Sequence, residues 1–271
     1  MEADVESYRT RLVRVRTGAK PVWGVVDDER VYELPHSPFE RRHQLPTGAW
    51  EPGPGVGPVA EVDLLAPVTP SKIVCVGRNY PAHAAEHDSP VPVEPLLFLK
   101  PPSAVVGPGD PIRLPRQSDR VEHEAELAIV IGRRCRNVPP EEAWTFALGI
   151  TAANDVTARD LQRRDGQWTR AKGFDTFCPV GPWVVTGVSE HELADLEVAC
   201  RVNGDVRQMG QAGEMVFSPT VLIAYAASVM TLEPGDLILT GTPAGVGPLQ
   251  PGDLVEVEVG GVGILPNPVR G

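Results

Sequence analysis

The sequence predicts a mixed, mostly β protein with few helices. Three observations predict it: a series of short apolar, β-rich runs, the 29 prolines and 27 glycines that punctuate them, and one segment with the character of a buried helix. From Ser71 onward the runs are KIVCVG, PLLFLK, AELAIVIG, LGITAAN, PWVVT, LEVACRVNG, DLILTG and DLVEVEV. Before them, RLVRVRT, VWGVV and VYEL precede the Gly/Pro-rich EPGPGVGPVAEVD, which marks a small N-terminal β-containing domain over 1–65 and a main domain over 66–271.

The helix is expected over Pro219–Met230: Ser218 suits the N-cap, Pro219 the first turn, and TVLIAYAASVM is apolar nearly all round, so it should be buried. PPEEAWTFAL and ARDLQRR predict shorter helices. Asn203-Gly204, after an alternating run, predicts a hairpin turn.

At 271 residues with 42% apolar and 23% charged content, the chain can bury a sizeable core. Its 25 basic and 36 acidic residues give a formal charge of −11 with no basic stripe, which argues against nucleic acid and anionic membrane as partners. No stretch approaches the ~18 uninterrupted apolar residues of a spanning helix, and MEADVESYRTRLVRVR has no apolar core segment, so a cytoplasmic location is expected. Cys75, Cys135, Cys178 and Cys200 are scattered in or beside apolar runs and read as free buried thiols.

Four places carry candidate chemistry. In VEHEAELAIVIG, strand alternation puts Glu122, Glu124 and Glu126 on one face, where either water covers the like charges or a cation neutralises them. A Glu-x-Glu strand is ordinarily a solvated face. Asp155 raises its value, because it ends the run LGITAAN where the chain turns into DVTARD; three carboxylates make an all-oxygen set suited to Mg²⁺ or Mn²⁺. In GRNYPAHAAEHD, Pro81 can begin a short helix on which His83 and Glu86 are adjacent, a pairing that raises imidazole basicity; His87, one residue on, competes for the role.

The glycines of ILTGTPAGVGP lack the spacing of a nucleotide loop, but Thr240-Gly241-Thr242 can offer backbone N–H groups and a hydroxyl to a carboxylate. Lys172, amid apolar and aromatic neighbours in QWTRAKGFDTFCPVGPW, either snorkels or partners an anion.

The ordered blocks GRNY with His-x-x-Glu, PLLFLKPPSAVVGPGD, HEAELAIVIG, NDVTARDLQ, KGFDTFCPVGPW, VNGDVRQ, MVFSPTVLIAY and LEPGDLILTGTPAGVGP resemble the fumarylacetoacetate hydrolase family from about Ser71 to Val269. The resemblance implies a β-roll catalytic core, a homodimer, and Mg²⁺ or Mn²⁺ held by Glu124, Glu126 and Asp155. It further implies that His83 and Glu86 form a catalytic dyad on a lid helix, that Lys172 acts on the substrate, and that Arg159, Gln162 and Thr242 contact its carboxylate or oxo group. The implied activity is C–C hydrolysis or lysis of a small 2-oxo acid, such as an acylpyruvate or oxaloacetate, with release of pyruvate. The alternatives are an isomerase or tautomerase of a hydroxymuconate-type dienoate, and a metal-binding protein without catalysis. Gln211-Ala212-Gly213 departs from the family's usual Asn-Thr-Ser, and Pro266 stands where a basic residue is commoner.

Overall fold

The computed structural model describes residues 9–18, 20–40 and 50–271. Its largest sheet runs, from edge to edge, through Gly55–Pro58, Arg30–Glu33, Lys20–Asp27, Arg11–Thr17, Cys178–Thr186, Ala147–Asn154, Ala125–Ile131, Leu237–Leu239, Ile73–Gly77 and Leu96–Lys100. The apolar runs become these strands. The N-terminal strands join the same sheet, because Arg11 and Leu12 pair with Val185 and Val184.

A second sheet, in the order Asp205–Gln211, Glu197–Val202, Leu254–Val259, Gly263–Arg270 and Ile112–Arg113, packs across the first. Leu127, Ile150 and Ala152 of the large sheet meet Val198, Cys200, Val257 and Leu265 of the smaller one in a shared core. On the opposite side the expected helix, Pro219–Val229, lays Leu222, Ile223, Ala226 and Ala227 against Val74, Val76, Ile129 and Ile238. Ala125–Ile131 is therefore covered on both faces, and all seven residues are buried. That explains why it reads as a continuous apolar run from Leu127 on.

The Ser218 side chain caps the Pro219 helix by accepting from Val221 N. Asn203 and Gly204 have φ of 54° and 84°, the two left-handed residues of a tight hairpin that Val202 and Asp205 close. PPEEAWTFAL shortens to a single turn, Pro140–Ala143, followed by a 3₁₀ turn at Trp144–Phe146, while ARDLQRR gives Arg159–Asp165. At Gln211-Ala212-Gly213 the chain forms a 3₁₀ turn over Ala212–Glu214 with Gln211 as its N-cap; Gln211 and Glu214 cap each other, and Gly213 N–H donates to Ala194 O. All four cysteines are free and buried, and no described helix is long and apolar enough to cross a membrane.

Candidate active site

One departure from the sequence reading organises the site: the Glu-bearing segment is two strands, not one. Val121–His123 pairs with Thr157–Ala158 and Gly247–Pro248, whereas Ala125–Ile131 pairs with Ala147–Asn154 and Leu237–Leu239. Glu124 sits at the break between the large sheet and this small three-stranded one, Thr157–Ala158, Val121–His123 and Gly247–Pro248. The register Ala125↔Asn154 brings Asp155 alongside, and Asp155 N–H donates to Glu124 O at 2.9 Å. Glu124, Glu126 and Asp155 are buried, and one carboxylate oxygen from each lies within 4.8 Å of the others.

Cations surround this triad unevenly. Lys172 Nζ reaches Glu124 Oε2 at 2.8 Å and Asp155 Oδ2 at 2.6 Å, and Lys100 Nζ reaches Asp155 Oδ1 at 2.5 Å. Arg159 binds Glu124 Oε1, Glu122 Oε2 at 2.6 Å and Gln162 Oε1 at 2.6 Å. Burial alone would raise the Glu124 carboxyl, but Lys172 and Arg159 outweigh it and hold the group well below the usual carboxylate range. Glu126 is the opposite case: burial, then the neighbouring Asp155 and Glu124 charges, push it well above that range. Its carboxylate accepts a hydrogen bond from the Gly241 N–H at 2.7 Å. An all-oxygen, buried set with one member strained towards its protonated form fits a hard divalent cation, which would relieve the repulsion at Glu126.

Gly241 has φ of 100°, and a Cβ there would lie 2.8 Å from Asn79 Cβ, so only glycine can bring its N–H to Glu126. The Thr242 hydroxyl donates to Ala125 O and accepts from Gln208 Nε2, both at 2.7 Å. Its proton is thus committed to the backbone, which leaves a lone pair for any bound molecule.

The helix Pro81–Glu86 faces the triad, with Pro81 in its first turn. His83 is buried, and its Nδ1 lies 3.4 Å from Glu86 Oε2. Burial pushes the His83 imidazole below its ordinary value even though Glu124 pulls the other way, so the ring is neutral at neutral pH. The Gly245 N–H donates to the Glu86 carboxylate at 3.2 Å. Gly245 has φ of 99°, and a Cβ there would overlap Arg207 O.

Glu124, Glu126, Asp155, His83, Glu86, Lys172, Arg159, Gln162 and Thr242 all line one cavity of about 910 Å³. Three further residues escaped the sequence reading. Lys100 ends the apolar run PLLFLK, the same signal that singles out Lys172, and its ammonium is fully buried against Asp155. Glu122 was grouped only with the strand face; it anchors Arg159 and Arg120. Arg78 lines the cavity with φ of 58°, and no ion pair or hydrogen bond engages its side chain among the described residues. No sequence pattern marks that conformation.

Residues 72–270 match the family model described as fumarylacetoacetate (FAA) hydrolase C-terminal, and residues 10–67 match one described as Rv2993c-like, N-terminal. The chain is 54% identical to Protein Rv2993c of Mycobacterium tuberculosis over 212 residues, 78% of this chain and 80% of that one. It is 47% identical to the human mitochondrial oxaloacetate tautomerase FAHD2A over 222 residues, 78% of this chain and 71% of that one. A crystal structure of 2-hydroxyhepta-2,4-diene-1,7-dioate isomerase from Mycobacterium marinum superposes with a TM-score of 0.85 at 45% identity, covering 96% of this chain and 98% of that one. The chain belongs to the fumarylacetoacetate hydrolase family, and its mostly β architecture is that of these relatives.

Proposed function

We propose that this enzyme, dependent on Mg²⁺ or Mn²⁺, acts on a small 2-oxo acid and moves a proton at the carbon beside the oxo group, as a keto–enol tautomerase or isomerase. One observation carries the reading: a buried imidazole, His83, faces the Glu124, Glu126 and Asp155 carboxylates and the Lys172 ammonium across one cavity. Two relatives, named as an oxaloacetate tautomerase and a 2-hydroxyhepta-2,4-diene-1,7-dioate isomerase, support proton transfer.

Glu124, Glu126 and Asp155 would hold the cation, which when bound supplies a Lewis acid for the substrate's oxo and carboxylate oxygens. His83 takes the proton from carbon and returns it, while Glu86, fixed by Gly245 N–H, orients the ring and stabilises its charged form. Lys172 offsets negative charge that develops on the substrate oxygen. Arg78, which has no ion pair or hydrogen bond among the described residues, meets a substrate carboxylate. Trp168, Phe98 and Leu96 form the apolar part of the wall and keep water from the reacting carbon.

A second reading rests on the same dyad. If His83 takes its proton from water instead of carbon, the site hydrolyses an acylpyruvate; without an attacking water, it decarboxylates oxaloacetate. Both release pyruvate. Proton NMR of the products separates the readings: a tautomerase in ²H₂O exchanges the hydrogens beside the oxo group and releases no fragment. Metal-dependent pyruvate formation without faster exchange would overturn the first reading in favour of the second.

A further inference from the structure

We propose that His83, Glu86 and His87 form a second metal site on the helix facing the triad, one that takes a borderline transition ion of the Zn²⁺ type. His83 and Glu86 stand three residues apart on the helix Pro81–Glu86 and so share a face, and His87 is the C-cap that follows directly. One ligand atom from each lies within 4.8 Å of the others. The His83 and His87 rings meet edge to face with centroids 4.8 Å apart, and His83 Nδ1 is 3.4 Å from Glu86 Oε2.

A second observation points to a ligand independently of this clustering. His87 Nε2 is buried and has no hydrogen-bond partner among the described residues. A buried ring nitrogen left unpaired forfeits a hydrogen bond, and a metal ion would satisfy it. With metal–ligand bonds of 2.0–2.1 Å, neighbouring donors of a tetrahedral ion stand roughly 3.3 Å apart. The His83–Glu86 separation of 3.4 Å already meets that spacing, so the remaining adjustment falls on the partly exposed His87 side chain at the helix end. All three residues line the cavity, which gives an ion a path in and leaves its fourth position open.

The donor chemistry distinguishes this site from the triad. Two imidazoles and a carboxylate suit Zn²⁺, whereas three carboxylates suit Mg²⁺ or Mn²⁺. An ion on His83 and Glu86 also engages the pair assigned as base and orienter, so Zn²⁺ would switch the enzyme off while Mg²⁺ stays in place. That consequence rests on the proposed reading of His83; the site itself does not.

The test uses the full chain, stripped with chelator and supplied with excess Mg²⁺, then titrated with Co²⁺ as a spectroscopic stand-in for Zn²⁺. The wild type should develop the intense visible bands of four-coordinate Co²⁺, bleached by one equivalent of Zn²⁺. His87→Gln, checked for an unchanged far-ultraviolet circular dichroism spectrum, should lose the bands and bind Zn²⁺ about tenfold or more weakly. Only the weak spectrum of six-coordinate Co²⁺ in the wild type, or identical bands in His87→Gln, would overturn the site. Turnover is followed in parallel. Bands that appear without Zn²⁺ inhibition would uphold the site and count against His83 as the base.

Discussion

Replacing Lys172 by Met should destabilise the metal-free protein in a way that added Mg²⁺ repairs. The ammonium is 2% exposed, sits between Glu124 and Asp155, and lies 5.0 Å from the Phe98 ring centroid. Met keeps most of the volume and the contact with the ring but removes the charge. Two buried carboxylates then face each other beside Glu126, which their fields already push towards its protonated form. Breaking a buried ion pair by removing one partner costs about 3–5 kcal/mol. Unfolding entropy of roughly 2.1 cal/mol/K per residue, over 271 residues, comes to about 0.57 kcal/mol/K, so the Tm should fall by about 5–9 °C. Differential scanning fluorimetry with and without Mg²⁺ measures both parts. The Mg²⁺-induced rise in Tm should be larger in the variant than in the wild type, because the cation replaces the missing positive charge. A Tm within about 2 °C of wild type, with an equal Mg²⁺ shift in both, would refute the electrostatic account of the triad.

Three other outcomes follow from the geometry. His83→Gln should lower kcat by about 10²–10⁴-fold and abolish the acid limb of the pH–rate profile. His83 must be neutral to accept a proton and burial holds its pKa below the ordinary 6.5, so the wild-type rate should climb with pH with its midpoint below that value. A limb that persists in the variant would assign it to another group. Arg78→Met should raise KM for a dianionic 2-oxo acid by about tenfold or more while kcat changes little, since a hydrogen bond to a charged group is worth about 1.5–3 kcal/mol; steady-state kinetics with oxaloacetate decides this. Asn79→Ala should cost about 1–3 kcal/mol in chemical denaturation, because the buried Asn79 side chain joins Phe217 N, Phe217 O and Thr240 O, and its loss strands all three.

The fold was legible where burial imposed a pattern. Ile73–Gly77 and Ala125–Ile131 are buried throughout, so apolar runs alone located them. The Pro219 helix was located by its cap and apolar run, but it is buried only on the face toward the sheet, and Val221 and Val229 are exposed where the sequence predicts burial all round. PPEEAWTFAL was harder, because its apolar residues serve a short turn and a 3₁₀ segment that pack under the Pro219 helix and do not make one continuous helical face. The strand break at Glu124 could not be read from alternation, since both strands keep the same side-chain period and only their pairing partners differ. Within the site, residue type identified the triad, the dyad and Lys172 as candidates. Orientation did not follow from type: Arg159 proves to be bound to Glu122, Glu124 and Gln162, and the Thr242 proton goes to Ala125 O. Arg78 and Lys100 gain their positions from a left-handed backbone and from contacts 55 residues apart, which local sequence does not encode.

The most direct measurement is proton NMR of oxaloacetate in ²H₂O with chelator-stripped protein, with and without Mg²⁺, against Mg²⁺ alone. The account predicts exchange of the hydrogens beside the oxo group that needs both protein and metal, that outpaces any appearance of pyruvate, and that is lost in Glu124→Gln. Exchange no faster than with Mg²⁺ alone, or a rate unchanged in a folded Glu124→Gln variant, would contradict it.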